Sequence, residues 1–236
     1  MPGDLSIQHI RVPYRDGKDV FDLVSLTHKE PLSQFKAWFE EAVHSGLVYE
    51  ANAMALATCT RSGIPSVRYV LLKELDEHGF YFFTNYESRK ASELESNPNA
   101  SLLFYWEPLQ RQVRVEGTVT QLSPERSEIY FASRPKGSQL AATISPQSRV
   151  IPSRQYLDNK FSKLGAFYAN EDTIPKPKNW GGYVLCPHTV EFWQGQTNRL
   201  HDRIRFRRAN IDDTIPVDPE CTHIGDDGWV YERLAP

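Results

Sequence analysis

The sequence predicts a mainly β fold with peripheral helices, an α+β chain built around a barrel-like sheet. Three observations predict it. Short runs rich in β-branched and aromatic residues recur, such as AMALATC (residues 53–59), SVRYVLLK (66–73) and FYFFT (80–84). Turn-forming clusters separate them, among them RSGIP (61–65) and DEHG (76–79). Helical patterns with capping and proline signals are inserted between the strands.

Composition bounds the rest. A chain of 236 residues, 40% apolar and 12% aromatic, can bury one large or two modest cores. A formal net charge of −3 and a pI near 6.2 exclude a general nucleic-acid binder, which would be basic over a whole face. Any bound anion must be met by local clusters. Cys59, Cys186 and Cys221 are odd in number and widely spaced, which supports neither a disulfide framework nor a metal site. The first residues lack an apolar stretch of signal-peptide length, and no run approaches a membrane span. The expectation is a soluble cytoplasmic protein with neither nucleic-acid nor membrane partners. Without repeats or long linkers, the chain reads as an arm (1–29) followed by a single domain (30–236).

The elements follow in order. Residues 1–29 show no sustained period and mix charge with Pro and Gly, the pattern of a mobile arm; Arg11 and Tyr14 lie in it. From Pro31, Leu32, Phe35, Phe39, Ala42 and Val43 recur at helical spacing, with Gly46 as the C-cap. The strands at 53–59 and 66–73 read as a hairpin. Arg68 and Lys73, five apart, face opposite sides of a strand, so they share a pocket only through a bulge, or else grip different ligands.

Ser88 is placed to N-cap a short helix ending before Pro98. Arg89 and Lys90 then occupy its first turn, where cations oppose the macrodipole by about 0.3–1 kcal/mol each unless an anion reverses the sign. A phosphate there would also take the free backbone N–H groups. The plainer alternative is a solvated helix with unhelpful charges.

Residues 100–107 and 110–122 read as strands divided by Pro108, with Gln112, Arg114 and Glu116 facing away from Val113 and Val115. Polar groups on such a face usually satisfy one another. Ser123 and Pro124 open a helix that carries Tyr130 and Arg134 on one side and ends at Pro135; Ser138 falls in a Gly-containing turn beyond. A phenol, a guanidinium and a hydroxyl converging there make a phosphate clamp, against the alternative of a surface Tyr/Arg stack. Gln147 and Ser148 fall in a loop before an amphipathic helix from Ser153 to about Tyr168. The link IPKPKNWGG leads to final strands GGYVLC, TVEFWQ, an arginine-rich strand and GWVYERL.

The arginine-rich stretch is WQGQTNRLHDRIRFRR, residues 193–208. Gly195 and Asn198 supply turn chemistry, and alternation from Leu200 puts His201, Arg203, Arg205 and Arg207 on one face. Leu200, Asp202, Ile204 and Phe206 form the other, and Arg199 joins the cationic row if the strand begins that early. Such a row destabilises the fold unless an anion or carboxylate answers it. A solvated edge strand is the alternative.

RYVLLK (68–73), FFTNYESRK (82–90), LLFYWEPLQRQVRVEG (102–117), YFASRPKGSQ (130–139), the stretch 193–208 and the terminal YERLAP occur in one order. In these blocks the chain resembles the pyridoxine 5′-phosphate oxidase family, flavin enzymes that make pyridoxal 5′-phosphate. The resemblance implies the split β-barrel FMN-binding fold, assembled as a homodimer with flavin sites at the subunit interface. It implies FMN as cofactor, pyridoxine 5′-phosphate and pyridoxamine 5′-phosphate as substrates, O2 as acceptor and H2O2 as product. The absence of GxGxxG and Walker A loops agrees, since the phosphate must then be held by Arg and Lys side chains.

Carried over residue by residue, the resemblance assigns Lys73, Tyr130, Arg134 and Ser138 to the substrate phosphate. Arg199 and His201 go to the substrate ring as the catalytic pair, with Leu200 between them, while Arg11 and Tyr14 would fold over the substrate. For FMN it implies Arg68, Tyr69, Val70 and Leu71, then Phe83, Thr84, Arg89 and Lys90. Gln112 (on the isoalloxazine), Gln147, Ser148, Trp193 and Arg203 complete that set. A non-catalytic flavin or B6-phosphate binder on the same barrel is the alternative function, and Arg199 with His201 is what distinguishes the enzyme from it.

Overall fold

Antiparallel pairing dominates this fold, as the hairpin and turn signals require. The computed structural model describes residues 7–10, 12–14, 19–209, 218 and 220–236, so the candidate Arg11 lies outside the described residues. The elements are α1 (Pro31–His44), β1 (Ala53–Cys59), β2 (Pro65–Leu71), β3 (Glu74–Asp76), β4 (Gly79–Asn85), α2 (Arg89–Ser96), β5 (Asn99–Trp106) and β6 (Arg111–Gln121). Then come α3 (Pro124–Ser133), α4 (Lys136–Ile144), α5 (Arg154–Phe167), β7 (Trp180–Gln194), β8 (Asp202–Arg208), β9 (Thr222–Ile224) and β10 (Trp229–Arg233). Hydrogen bonding links the strands in the order β2-β1-β5-β6-β7-β8-β10-β9, with β4 on β7 and β3 on β4, and the sheet does not close on itself. The architecture is mainly β with helices, as expected.

Two units divide the chain. The terminal unit comprises Met1–Ala51, Tyr105–Arg114 and Val190–Pro236, and the central unit Asn52–Phe104 and Val115–Thr189. Strands β5, β6 and β7 each contribute one end to each unit.

In the central unit β1 alternates as a half-buried strand should, turning Met54, Leu56 and Thr58 inward. It pairs with β2 from Ala53 opposite Leu71 to Cys59 opposite Pro65. The β3–β4 hairpin turns at Gly79, whose φ of 137° no residue with a Cβ adopts readily. Strand β4 then lies against β7, which sets Thr84 opposite Gly181 and Phe83 opposite Gly182. Ser88 caps α2 as its position predicts, its Oγ accepting from the Ala91 N–H. Phe131, Leu140, Ile174 and Trp180 form a buried cluster between α3, α4 and the start of β7.

In the terminal unit Glu30 caps α1 by accepting from the Leu32 and Ser33 N–H groups, and Gly46 follows with φ 65°. Phe35, Trp38 and Ala42 turn inward, whereas Val43 is half-exposed. Phe21, within the expected arm, is 4% exposed, its ring 4.7 Å from Trp38 and its N–H donating to Asp202. Phe192, Phe206 and Tyr231 continue the core across β7, β8 and β10.

Three expectations are corrected. GGYVLC and TVEFWQ are one strand, β7, which runs unbroken through Pro187, since a proline there removes only one donor. Ser138 is helical: Pro135 ends α3 but also caps α4, so Gly137 and Ser138 fall in the first turn of a new helix. The arginine-rich strand begins at Asp202, and Arg199 lies in a bend with φ 69°, so strand alternation does not set its direction. Leu200 is 66% exposed, not part of the apolar face.

Candidate functional site

The central unit contains a cavity of about 610 Å³ built from the ends of β2 and β4, the first turn of α2, the α3–α4 corner and the loop at Gln147. It gathers many of the residues singled out above. Tyr69, Val70 and Leu71 come from β2, Lys73 from just beyond it, Phe83 and Thr84 from β4, and Lys90 from α2. Tyr130, Arg134, Ser138 and Gln147 complete that group. Strand β2 ends at Leu71, and the Lys73 N–H pairs with the Tyr81 carbonyl, so face alternation does not carry on to Lys73. Arg68 itself does not line the cavity.

Two cations in this cavity lack the partners buried charges normally have. Lys90 is only 8% exposed, and its Nζ donates to Thr84 Oγ1 (3.1 Å), Ser88 Oγ (3.4 Å) and the Gln147 side-chain oxygen (2.8 Å). All three acceptors are neutral, and no carboxylate pairs with it among the described residues. Burial, reinforced by the nearby Arg68 charge, pulls its pKa down to about 8. Arg134, the C-cap of α3, leaves its Nη1 buried without a hydrogen-bond partner. Its guanidinium lies 4.7 Å over the Trp180 ring, and burial lowers its pKa. A ring stands in for a carboxylate, so the positive charge stays unanswered.

Aromatic rings form one wall. Phe83 and Tyr130 stack with centroids 3.9 Å apart, and Trp180 stacks 5.5 Å from Phe83. Trp180, Asn85 and Ser145 line the cavity without having been singled out in the sequence. Nothing in a proline-rich link marks its tryptophan; pairing of β4 with β7 brings it there, opposite Asn85.

The other phosphate candidates gather around Glu93. Arg89 donates its Nε to Glu93 at 2.8 Å, Arg68 Nη2 lies 3.5 Å from the same carboxylate, and Thr58 and Ser66 donate to it at 2.5 Å each. Arg68 also donates to the Leu56 carbonyl. Arg89, Glu93 and Ser148 line a second cavity, of about 430 Å³, and Ser148 holds a left-handed φ of 68°. Glu93 was missed, although its i+4 spacing from Arg89 is a legible ion-pair signal.

The remaining candidates belong to the terminal unit. Trp193, His201 and Tyr14 form a ring cluster, with Trp193 5.0 Å and Tyr14 5.7 Å from the imidazole. The His201 Nδ1 accepts from the Gln196 N–H at 3.0 Å; burial and the Arg199 charge lower its pKa. A neutral His201 therefore carries its proton on Nε2. The Arg199 N–H donates to the Gln196 carbonyl, and the Leu200 N–H to Asn198. Gln112 is half-buried on β6. Carboxylates answer the cationic row: Arg203 donates to the buried Glu191 at 2.7 Å, while Arg205 and Arg207 share Glu232.

Comparison with known proteins gives this geometry its context. Residues 39–167 match the family model described as pyridoxamine 5′-phosphate oxidase, and residues 180–236 match that of the pyridoxine 5′-phosphate oxidase C-terminal dimerisation region. The chain is 58% identical to pyridoxine-5′-phosphate oxidase of Bos taurus, over 96% of this chain and 86% of that protein. It resembles the crystal structure of PhzG from Burkholderia lata 383, with a TM-score of 0.79 and 28% identity, over 92% of this chain and 98% of that one. A pyridoxamine 5′-phosphate oxidase-related, FMN binding protein from Nostoc punctiforme shares the fold, with a TM-score of 0.62 and 20% identity over 86% of this chain and 97% of that one. Two adjoining family models and high identity along nearly the whole length leave one conclusion: the chain belongs to the pyridoxine/pyridoxamine 5′-phosphate oxidase family of enzymes.

Proposed function

We propose that the protein is an FMN-dependent oxidase that converts pyridoxine 5′-phosphate and pyridoxamine 5′-phosphate to pyridoxal 5′-phosphate in vitamin B6 salvage, with O2 as acceptor and H2O2 as product. The observation that carries this reading is one cavity holding a buried cation, Lys90, and a half-buried one, Arg134, whose Nη1 is buried without a partner, with no carboxylate on either among the described residues. Cations left open in this way suit anionic ligands, and phosphate monoesters match them in charge and hydrogen-bonding capacity. The residues fit FMN in chemistry, since Lys90 with Arg68 and Arg89 can meet its phosphate without a glycine-rich loop. FMN, when bound, would supply the acceptor for the hydride that leaves the substrate's C4′ carbon, with O2 as the final electron acceptor.

The chain's own residues bind and orient. Arg134, with Tyr130, Ser138 and Lys73, is assigned to the substrate phosphate; its fork fits two phosphate oxygens, and stacking on Trp180 fixes its plane without neutralising it. Arg199 and His201 are assigned to the pyridine ring, His201 offering Nε2–H as a donor because Nδ1 is already accepting. The ring's fixed place lowers the entropic barrier to transfer. Arg11 and Tyr14 are proposed to cover the substrate. The homodimer with interfacial flavin sites belongs to the same proposal, supported by the dimerisation-region match at 180–236. So does a cytosolic setting, supported by three unpaired cysteines. The test is aerobic incubation of FMN-loaded protein with pyridoxine 5′-phosphate, following pyridoxal 5′-phosphate and peroxide together. Stoichiometric appearance of both is expected; flavin-loaded protein that forms neither refutes the oxidase reading.

A further inference from the structure

Among the described residues, the ion-pair network around Glu93 is the one buried carboxylate cluster that touches two residues assigned to the flavin phosphate at once. Glu93 sits on α2, 4% exposed, and takes hydrogen bonds from Thr58 on β1, Ser66 on β2 and Arg89 one helical turn earlier. Arg68 completes the ring: it lies 3.5 Å from the carboxylate and donates to Thr58 and Ser66. Each arginine is thereby tied to one carboxylate.

We infer that Glu93 is a positioning residue for FMN: it holds Arg68 and Arg89 as a preformed pair, so that β2 and α2 present their guanidinium groups together to the flavin phosphate. This rests on the flavin reading above. Charge balance supports it. Glu93 offsets one of the cations Arg68, Arg89 and Lys90, and the neighbouring cavity adds one further charge of each sign, Glu87 and Arg149, which leaves the sum unchanged. The surplus matches the roughly −2 charge of a phosphate monoester. Were Glu93 absent, three mutually repelling cations would be held by neutral acceptors only, and more of the cost of ordering the two arginine side chains would fall on the binding step. The carboxylate also stays ionised: burial would raise its pKa, but hydrogen bonds from Ser66, Thr58 and Arg89 bring it down to about 2. Its hold on the arginines therefore persists across the pH range of any plausible assay.

The test measures binding of FMN and of riboflavin, which lacks the phosphate, to the full-length chain freed of flavin, by quenching of flavin fluorescence. Glu93→Gln removes the charge but keeps the shape, and Glu93→Asp keeps the charge but withdraws it by one carbon from Arg89. Both are checked by circular dichroism. Roughly tenfold or more weaker FMN binding is expected in each, with riboflavin affinity unchanged, because only the phosphate reads the arginine pair. Unchanged or tighter FMN binding in Glu93→Gln overturns the inference, since net positive charge would then outweigh positioning. Parallel loss of FMN and riboflavin, or loss of the fold in both variants, also overturns it and leaves Glu93 a scaffold residue. A wild-type chain that does not distinguish FMN from riboflavin overturns the flavin-phosphate reading itself, which separates the two failures.

Discussion

Single residues set the ligand chemistry through what they lack. Lys90 is the clearest, a buried ammonium whose acceptors are two hydroxyls and an amide. Its folded pKa, about 8, lies below the ordinary value of 10.5, so folding disfavours its proton. The folded state pays that penalty below pH 8, and flavin-free protein should gain stability from this group as pH rises from about 8 towards 10.5. Binding runs the other way. Above pH 8 an anion must draw a proton back on to Lys90, so FMN affinity should fall as pH rises through 8, and Lys90→Ala should weaken binding roughly tenfold or more and flatten that slope. A titration of FMN affinity from pH 6.5 to 9.5 checks both. Arg199 makes a different prediction. Arg199→Ala should remain folded and yellow, with raised KM and lowered kcat/KM for pyridoxine 5′-phosphate, a loss of up to about 10²-fold when the ring is misplaced by about 1 Å. Normal kinetics would remove Arg199 from the substrate's contacts; a colourless protein would move it to the flavin or the fold.

Elements decide which residues meet. The α3–α4 corner is one example, since Pro135 ends one helix and caps the next, putting Arg134 and Ser138 on the same cavity. Pairing of β4 with β7 is another, bringing Trp180 beside Phe83 and under Arg134. Close approach of β6 to β7 is a third. A Cβ on Gly117 would run into the Cys186 carbonyl and the Leu185 side chain, and a backbone carbonyl cannot swing aside. Gly117→Ala should therefore destabilise the protein by about 1–3 kcal/mol, the usual cost of overpacking. Thermal denaturation checks this, and a wild-type Tm would mean the two strands can part freely at that point. Capping and periodicity made α1, α2 and the β1–β2 hairpin legible in advance. The continuity of β7 was not, because a proline inside a strand reads as a break even where the strand runs on through it.

At the scale of the whole molecule, charge pairing and assembly govern stability. Burial would raise the Glu93 and Glu232 pKa values, but hydrogen bonds, largely from hydroxyls and arginines, lower both to about 2. Their contribution is fully present above the unfolded value near 4.5 and is lost as pH falls from there towards 2. Tm should decline over that interval, and Glu232→Gln should shrink the decline; a pH series of melting curves measures it. Assembly makes a separate prediction. If FMN binds only the dimer, it should raise Tm and shift any monomer–dimer equilibrium towards dimer. Sedimentation at micromolar concentration tests this, and a monomeric flavin-loaded protein would refute the interfacial site.

What the sequence determined by itself was most of the elements and many of the residues that line the cavity. Alternation, caps and turn residues are local, acting over a few positions, so β1, β2, β4 and α2 could be read without the fold, and the ordered blocks from Arg68 to the C-terminus carried the family. What only the tertiary structure decided was pairing. Arg203, Arg205 and Arg207 looked like one open cationic row, yet Glu191 and Glu232 answer them, from positions that no local period connects to β8. Lys90 and Arg134 carry the same formal charge and, among the described residues, are left without a carboxylate. Whether a charge is answered depends on which strand lies beside which, a long-range fact that no local spacing shows.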